Sequence, residues 1–268
     1  MDFLIDIGGK DYTLASDDQY LGTLGRIFEP RSVELFRTIA GSPRTIFDVG
    51  ANVGCTALLF ADMAATVHAF EPSPSTFDFL RSNVDCATNV KPHNFGLGSK
   101  RQTNQITYNE LNRSGGFVSK GTKTNDGHIT ESIQIDTIDR FVRKQSIRDV
   151  DFIKIDVEGY EAHVIQGAKR TLKRQQPVVT MELNHWCLNA YQRTSVPDFF
   201  DFMRSVFPVL YAIEGSTFLD LHDPKESYIA MYCHIVCGMH KSLVGAFHDS
   251  QLANLRGQFT HRDPREEI

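Results

Sequence analysis

One stretch of sequence, TIFDVGANVGCTALLFADMAA at residues 45–65, limits what this chain can fold into more than any other feature. The run TIFDV at residues 45–49 is short and rich in residues that favour strands, and Gly50 ends it. Residues 55–65 then have a helical composition, with Gly54 at the entry. Glycines at such a turn let the backbone bend sharply and let a ligand approach closely. The stretch therefore predicts a strand, a tight ligand-binding turn and a helix.

The alternation of strand and helix patterns continues along the rest of the chain. Further strand patterns are at residues 67–70, 90–97, 133–135, 151–157 and 177–183, and a last β-rich run is at 228–236. Helical patterns are at residues 17–40, with an interruption near Pro30, and at 75–84, 161–174 and 197–207. Strands that alternate with amphipathic helices predict the α/β class, with a doubly wound, mostly parallel sheet and helices on both faces.

The size and composition of the chain bound its class. With 268 residues, it has room for one sizeable α/β domain. We expect an N-terminal helical flank or lid at residues 1–44, the main domain at 45–240, and a helical or partly disordered tail at 241–268. A net charge of −5 argues against binding to nucleic acid. Five scattered cysteines, with neither a signal peptide nor a membrane-spanning run, predict a cytoplasmic protein.

Two acids, placed around the glycine turn, indicate the type of cofactor. Glu71 ends the second strand about 20 residues after the turn, where a carboxylate accepts hydrogen bonds from ribose hydroxyls. The turn itself reads D-x-G-x-x-x-G, from Asp48 through Gly50 to Gly54, and Asn52 replaces the middle glycine of a dinucleotide motif. An acid at the start of this loop suits the ammonium group of an amino acid. The combination favours S-adenosylmethionine over a nicotinamide dinucleotide.

Four motifs together resemble the FkbM family of S-adenosylmethionine-dependent methyltransferases. They are DVGANVG at residues 48–54, FEPSP at 70–74, FIKIDVEGYE at 152–161 and VVTMEL at 178–183. The resemblance, over residues 45–182, implies a Rossmann-like class I methyltransferase fold and methylation of hydroxyl oxygens on sugars or secondary metabolites. By position it assigns the methionine end of the cofactor to Asp48, Gly50, Asn52 and Gly54, the ribose to Glu71, and the adenine edge to Asn94 or Gly96.

Polar residues after two later strands are candidates for the chemistry. Asp156 follows the strand at 151–157, and Glu182 and His185 follow the next one, so all three should border the cofactor crevice. Methylation of a hydroxyl requires alignment of oxygen, carbon and sulfur and removal of a proton, for which Asp156, Glu182 or His185 is suited. Glu158 either caps the helix that follows or joins Asp156 and Glu182 around a divalent ion such as Mg²⁺.

The sequence therefore predicts an O-methyltransferase that uses S-adenosylmethionine on a carbohydrate or a hydroxylated small metabolite, with or without Mg²⁺ at the three acids. Two alternatives remain open at this point. One is an NAD-dependent oxidoreductase built on the same glycine turn. The other is a non-catalytic binding protein that retains the fold.

Overall fold

A mixed β-sheet with helices on both faces forms the centre of the fold. The structure is a computed structural model, which describes residues 1–119 and 127–262. Within these ranges the largest sheet has nine strands, in the order β15-β13-β12-β14-β11-β10-β3-β4-β5. A four-stranded sheet has the order β6-β9-β7-β8, and β1 and β2 form a separate hairpin. The strands are β1 (Asp2–Ile7), β2 (Lys10–Ala15), β3 (Thr45–Val49), β4 (Thr66–Phe70), β5 (Val90–His93), β6 (Gly96–Leu97), β7 (Gln102–Asn109), β8 (Asn112–Ser119), β9 (His128–Asp136), β10 (Phe152–Ile155), β11 (Val178–Glu182), β12 (Val209–Glu214), β13 (Thr217–Asp220), β14 (Ser242–Ala246) and β15 (Thr260–His261).

The helices connect these strands and cover the sheet. They are α1 (Tyr20–Leu24), α2 (Pro30–Ala40), α3 (Cys55–Ala61), α4 (Pro74–Asn83), α5 (Ile138–Gln145), α6 (Glu161–Gln166), α7 (Lys169–Gln175), α8 (His185–Cys187), α9 (Val196–Val206), α10 (Pro224–Cys237) and α11 (Ala253–Gln258). Among the described residues, no helix combines the length and the apolar composition that crossing a membrane requires.

Alternating side chains of the central strands build a core on each face of the sheet. Ile46 and Phe152 pack with residues of α2 and α3 on one face. Phe47 and Ile153 pack with residues of α5, α6, α7 and α9 on the other. This double burial confirms the predicted α/β class with helices on both faces.

The strand order places a switch point next to β3. The chain runs from β3 outward through β4 to β5, and it then returns to β10 and β11 on the other side of β3. All five of these strands are parallel. Their carboxyl ends therefore diverge at one point, which is where a doubly wound sheet forms its ligand crevice.

The elements at both ends of the chain differ from those that the sequence predicted. The expected helical flank at residues 1–44 starts with the β1–β2 hairpin, and only afterwards come α1 and α2. The segment expected as a tail at 241–268 contributes β14, which pairs antiparallel with both β11 and β12 inside the sheet. Residues 263–268 of that segment lie outside the described residues.

The β-rich run predicted at residues 228–236 is wrong, because these residues belong to α10. The carboxylate of Asp223 accepts hydrogen bonds from the backbone N–H groups of Lys225 and Glu226, and Pro224 occupies the first turn. An acid at the N-cap and proline at the helix start favour a helix in spite of the β-branched and aromatic residues that follow.

Two other predicted elements are divided in the structure. The strand predicted at 90–97 is split between β5 in the large sheet and β6 in the smaller one. The helix predicted at 161–174 consists of α6 and α7. The polar segment between residues 99 and 127 contains the hairpin of β7 and β8, and its residues 120–126 are outside the described residues.

Candidate active site

A cavity of about 490 Å³ opens at the carboxyl ends of the parallel strands. Its floor comes from the sheet, one wall from the hairpin of β7 and β8, and another from the segment around α1 and α2. Residues that line it include, from the sheet and its loops, Gly50, Asn52, Glu71, Gly96, Lys154, Asp156, Glu158 and Glu182, and from the walls, Tyr20, Glu29, Phe36, Ile106, Tyr108, Arg113 and Val118.

The glycine turn is packed directly against Asp156, the residue that follows β10. Gly50 has a φ of +81°, and a Cβ atom added there would lie 1.8 Å from the backbone oxygen of Asp156. The N–H groups of Gly50 and Ala51 both donate to the carbonyl of Phe70 at 3.0 Å. Only glycine fits this position, since any side chain would displace one of the two loops.

Gly54 shapes the same turn without lining the cavity. It has a φ of +103° at the N-cap of α3, and an added Cβ would lie 2.9 Å from the side chain of Val84. Its role in this structure is to let α3 begin close to α4. Asn52, in contrast, lines the cavity and adopts a positive φ of 48°.

Asp48 lies beneath the glycine turn, and its side chain has no solvent exposure. The hydroxyl of Thr56 donates to Asp48 Oδ2 at 2.6 Å, and Lys154 Nζ lies 3.4 Å from Oδ1. Burial raises the pKa of Asp48, although the Lys154 charge and the Thr56 hydrogen bond oppose that rise. The structure therefore places Asp48 as a support of the turn, whereas the sequence predicted a direct contact with the methionine end.

Glu71 lines the cavity at the end of β4, as the sequence predicted. Its Oε2 accepts a hydrogen bond from the N–H of Asn52 at 3.1 Å, and Oε1 accepts one from the N–H of Ser73 at 2.9 Å. Burial raises the pKa of Glu71 to about 7, and the two N–H donors only partly oppose this shift. Each carboxylate oxygen keeps a lone pair with which it can accept a hydrogen bond from a hydroxyl group of a ligand.

The two residues predicted at the adenine edge have different positions. Gly96 lines the cavity, and an added Cβ would lie 3.2 Å from Pro72. The side chain of Asn94 turns back toward the chain, where its Nδ2 donates to the carbonyls of Glu71 and Pro72 at 3.0 and 3.2 Å. Asn94 therefore fixes the backbone that presents Glu71, and it is not among the described residues that line the cavity.

Three carboxylates that line the cavity lie close together. Oxygens of Asp156, Glu158 and Glu182 all lie within 4.8 Å of one another. Glu158 Oε2 accepts hydrogen bonds from Asn184 Nδ2 at 2.8 Å and from Cys187 Sγ at 3.3 Å. Burial, followed by the charges of Asp156 and Glu158, raises the pKa of Glu182 well above its usual range. Its Oε2 is buried without a hydrogen-bond donor in the part of the chain that the structure describes.

Of the three predicted catalytic residues, the structure brings Asp156 and Glu182 into the cavity but not His185. The ring of His185 packs edge-on against His234, with the centroids 5.0 Å apart. His185 is absent from the described residues that line the cavity. It lies at the start of α8, where the chain turns away from the end of β11.

The sequence did not single out two further groups, the buried Glu161 beside the cavity and Arg113 in its wall. Glu161, at the start of α6, accepts hydrogen bonds from the N–H groups of Val157 and Gly159, and burial raises its pKa to about 8. Its place in IDVEGYE, right after a glycine turn, could have suggested this role. The wall residue Arg113 contacts Ser75 and Asp17, which are far away in sequence, so no local signal predicts it.

Comparison with known proteins identifies the family. Residues 48–210, more than half of the chain, match the profile of the methyltransferase FkbM domain. The chain belongs to the FkbM methyltransferase family. This finding confirms the resemblance seen in the four sequence motifs and argues against the alternative of an NAD-dependent oxidoreductase.

Individual relatives of this FkbM chain are distant. It is 31% identical over 129 residues to the hexuronic acid methyltransferase AglP of Haloferax volcanii. The matched region covers 48% of this chain and 51% of that protein. It is 24% identical over 155 residues to the 2-O-methyltransferase NoeI of Sinorhizobium fredii, with 50% and 61% covered. The chain thus spans about half to three fifths of the length of these curated relatives.

A solved methyltransferase FkbM from Methylobacillus flagellatus KT is similar at 18% identity, with a TM-score of 0.46. The similarity covers 76% of this chain and 44% of that one.

Proposed function

We propose that this chain is an S-adenosylmethionine-dependent O-methyltransferase that acts on a hydroxyl of a sugar, a glycan or a hydroxylated small metabolite. One observation carries the proposal. A single cavity is lined by the glycine turn, by Glu71 and by Asp156 with its neighbouring carboxylates. Such a cavity brings a nucleoside cofactor and a hydroxyl acceptor together.

The cofactor half of the proposal follows from the glycine turn and Glu71. In our proposal, the carboxylate of Glu71 accepts hydrogen bonds from the ribose hydroxyls, and Gly96 beside Pro72 lies against the adenine. The backbone from Gly50 to Asn52 faces the amino-acid end. We call Glu71, Gly96 and the backbone from Gly50 to Asn52 the cofactor bed. Asp48 and Asn94 support it through the hydrogen bonds described above.

Asp156 is our candidate for the base. Its side chain is 44% exposed toward the cavity, so an acceptor hydroxyl can approach it. The acceptor oxygen forms a bond to the methyl carbon while the carbon–sulfur bond breaks. The electron pair of that bond stays on sulfur and gives S-adenosylhomocysteine, and the hydroxyl proton passes to the carboxylate. A positioned base contributes about 10²- to 10⁴-fold to such a step.

The acceptor class is supported by two named relatives and by the site. One relative is a hexuronic acid methyltransferase and another is a 2-O-methyltransferase. Carboxylates such as Glu29, Glu158 and Glu182 line the cavity together with Asp156, and acidic side chains accept hydrogen bonds from sugar hydroxyls. We therefore propose a saccharide hydroxyl as the first acceptor to test.

A divalent cation is a second proposal for the same carboxylates. Asp156, Glu158 and Glu182 offer oxygen ligands, which Mg²⁺ prefers, and the unpartnered Oε2 of Glu182 fits such an ion. When bound, the cation would lower the pKa of a coordinated acceptor hydroxyl. In this second proposal, Asp156, Glu158 and Glu182 would hold the cation together.

The test is incubation with methyl-labelled S-adenosylmethionine and fractionated sugars, glycans and metabolites, with product detection by mass spectrometry. We expect label in a carbohydrate or metabolite, and a loss of about 10²- to 10⁴-fold in Asp156→Asn. Label confined to protein or nucleic acid would refute the acceptor class. Full turnover in Asp156→Asn would refute the base.

The cation has its own arm in this experiment. Turnover is measured after treatment with a chelator, and again after Mg²⁺ is restored. A metal-dependent enzyme loses activity reversibly, and its Glu158→Gln variant requires more Mg²⁺ for half-maximal turnover. Unchanged turnover in the chelator removes the cation from the proposal and leaves the methyltransferase intact.

A further inference from the structure

Lys154 is a charged residue in the middle of a buried strand. It belongs to β10, whose four residues FIKI are all buried, and its side chain is only 7% exposed. A lysine in such a place needs partners, because an unpaired ammonium is costly to remove from water.

Its ammonium group lies where three parts of the site meet. Lys154 Nζ donates a hydrogen bond to the carbonyl oxygen of Gly50 at 2.8 Å. It also lies 3.4 Å from Asp48 Oδ1 and 3.4 Å from Asp156 Oδ2. One amine therefore contacts the support of the glycine turn, the turn itself and the candidate base.

The strand register explains why the lysine reaches all three. β10 pairs with β3 so that Lys154 is opposite Asp48, and Gly50 follows two residues later in the chain. The glycine turn and Asp156 are in close contact, since a Cβ on Gly50 would lie 1.8 Å from the backbone oxygen of Asp156. A change at Lys154 must therefore move the turn.

We propose that Lys154 is a positioning residue, which holds the glycine turn in the conformation that receives the amino-acid end of the cofactor and ties that turn to Asp156. This inference rests on the proposed function, since it assumes S-adenosylmethionine as the cofactor. Lys154 acts through the Gly50 carbonyl and takes no proton from the acceptor. In the same proposal Glu71 serves the adenosine part, and its hydrogen bonds come from the backbone N–H groups of Asn52 and Ser73 rather than from Lys154.

Two probes separate this role from a general effect on folding. S-adenosylhomocysteine occupies both halves of the cofactor bed, whereas adenosine lacks the amino-acid end. Isothermal titration calorimetry then gives the dissociation constant of each probe for the wild type and for Lys154→Met, which keeps the stem and removes the charge. Loss of a charge-assisted hydrogen bond should weaken S-adenosylhomocysteine by about tenfold or more. Adenosine affinity should change by less than about threefold, because its contacts are retained.

Matched variants control for stability and for charge. Ile153→Val removes a buried methylene from the same strand, on the sheet face opposite Lys154; Ile153 is not among the described residues that line the cavity, so both affinities should stay unchanged. Lys154→Met leaves Asp48 buried without its cation and could fail to fold, so Lys154→Met is also made in an Asp48→Asn background. Asp48→Asn alone keeps the bond from Lys154 to Gly50, so the affinities of the double variant are compared with those of Asp48→Asn. The double variant should again lose S-adenosylhomocysteine selectively.

Each result decides between the possibilities. A selective loss of S-adenosylhomocysteine in both Lys154 backgrounds supports the proposal. Equal weakening of the two probes shows a merely structural lysine and overturns it, as does unchanged binding of S-adenosylhomocysteine. A folded wild type that binds neither probe overturns the proposed function itself, and the inference with it.

Discussion

The titration of Glu71 should set the pH dependence of cofactor binding. Burial raises the pKa of this carboxyl to about 7, so its charge changes near neutral pH. The ionised form accepts hydroxyl hydrogen bonds more strongly than the neutral acid. Ribose hydroxyls that donate to Glu71 should therefore favour ionisation, and the affinity for S-adenosylhomocysteine should rise with pH.

The size of this effect follows from the pKa. With a value of 7, about a tenth of Glu71 is ionised at pH 6 and about nine tenths at pH 8. If the ionised form binds, the affinity should increase by about tenfold over this range. His68 and His93 do not interfere, because burial lowers their pKa values to about 3 and about 4.

Calorimetry with S-adenosylhomocysteine at pH 6, 7 and 8 measures this slope, and Glu71→Gln is the control. The amide of this variant cannot ionise, so its binding should be weaker at pH 8 and independent of pH. A flat or falling profile in the wild type would refute the reasoning. A slope that persists in Glu71→Gln would also refute it. Such a slope would point to Glu161, because burial raises the pKa of Glu161 to about 8.

The same shift has the opposite sign for the stability of the unliganded protein. Between pH 4.5 and about 7 the folded state keeps a proton that the unfolded state releases, so the stabilisation is complete below 4.5 and is lost as pH rises through 7. The difference in pKa corresponds to at most about 3 kcal/mol. Chemical denaturation should show the free energy of unfolding of the wild type falling relative to Glu71→Gln between pH 5 and 8.

Three substitutions test other parts of the structure. Gly50→Ala should abolish measurable S-adenosylhomocysteine binding, because the new Cβ would lie 1.8 Å from the Asp156 carbonyl; normal affinity would show that the turn can relax. His185→Ala should cost less than about tenfold in turnover, against the 10²- to 10⁴-fold typical of a lost base, and a larger drop would restore this residue as a catalyst. Asp223→Ala removes the cap of α10 and should lower the free energy of unfolding by about 1 kcal/mol, as seen in urea denaturation; no change would question the capping role.

The positions of the residues that we propose for the cofactor were predictable because these residues are close in sequence. Gly50, Asn52 and Glu71 follow two consecutive strands, and the hydrophobic pattern locates the ends of such strands well. The structure brings all three to the cavity. What the pattern could not give was the direction of Asp48, since only the register between β3 and β10 places Lys154 beside it and buries the carboxylate.

The failures come from features that local composition does not determine. The run at residues 228–236 is rich in β-branched and aromatic residues, and several of them, such as Tyr228 and Val236, are exposed on α10. A strand propensity reflects packing against neighbours, so it has little weight where a helix start is well capped. The antiparallel strand β14 was missed because its pairing with β11 joins residues about 60 positions apart, and no repeat signals it.

This difference in predictability has a consequence for substrate choice. The walls of the cavity come from segments that are distant in sequence: the region around α1 and α2, the β7–β8 hairpin, and Lys241 and Ser242 at the start of β14. Arg113 joins the hairpin to the first of these through Asp17, and it also donates to Ser75 in α4. Members of one family can therefore keep the motifs that hold the cofactor and still differ in these walls. The acceptor must accordingly be sought through the wall residues, whereas the motifs predict only the cofactor.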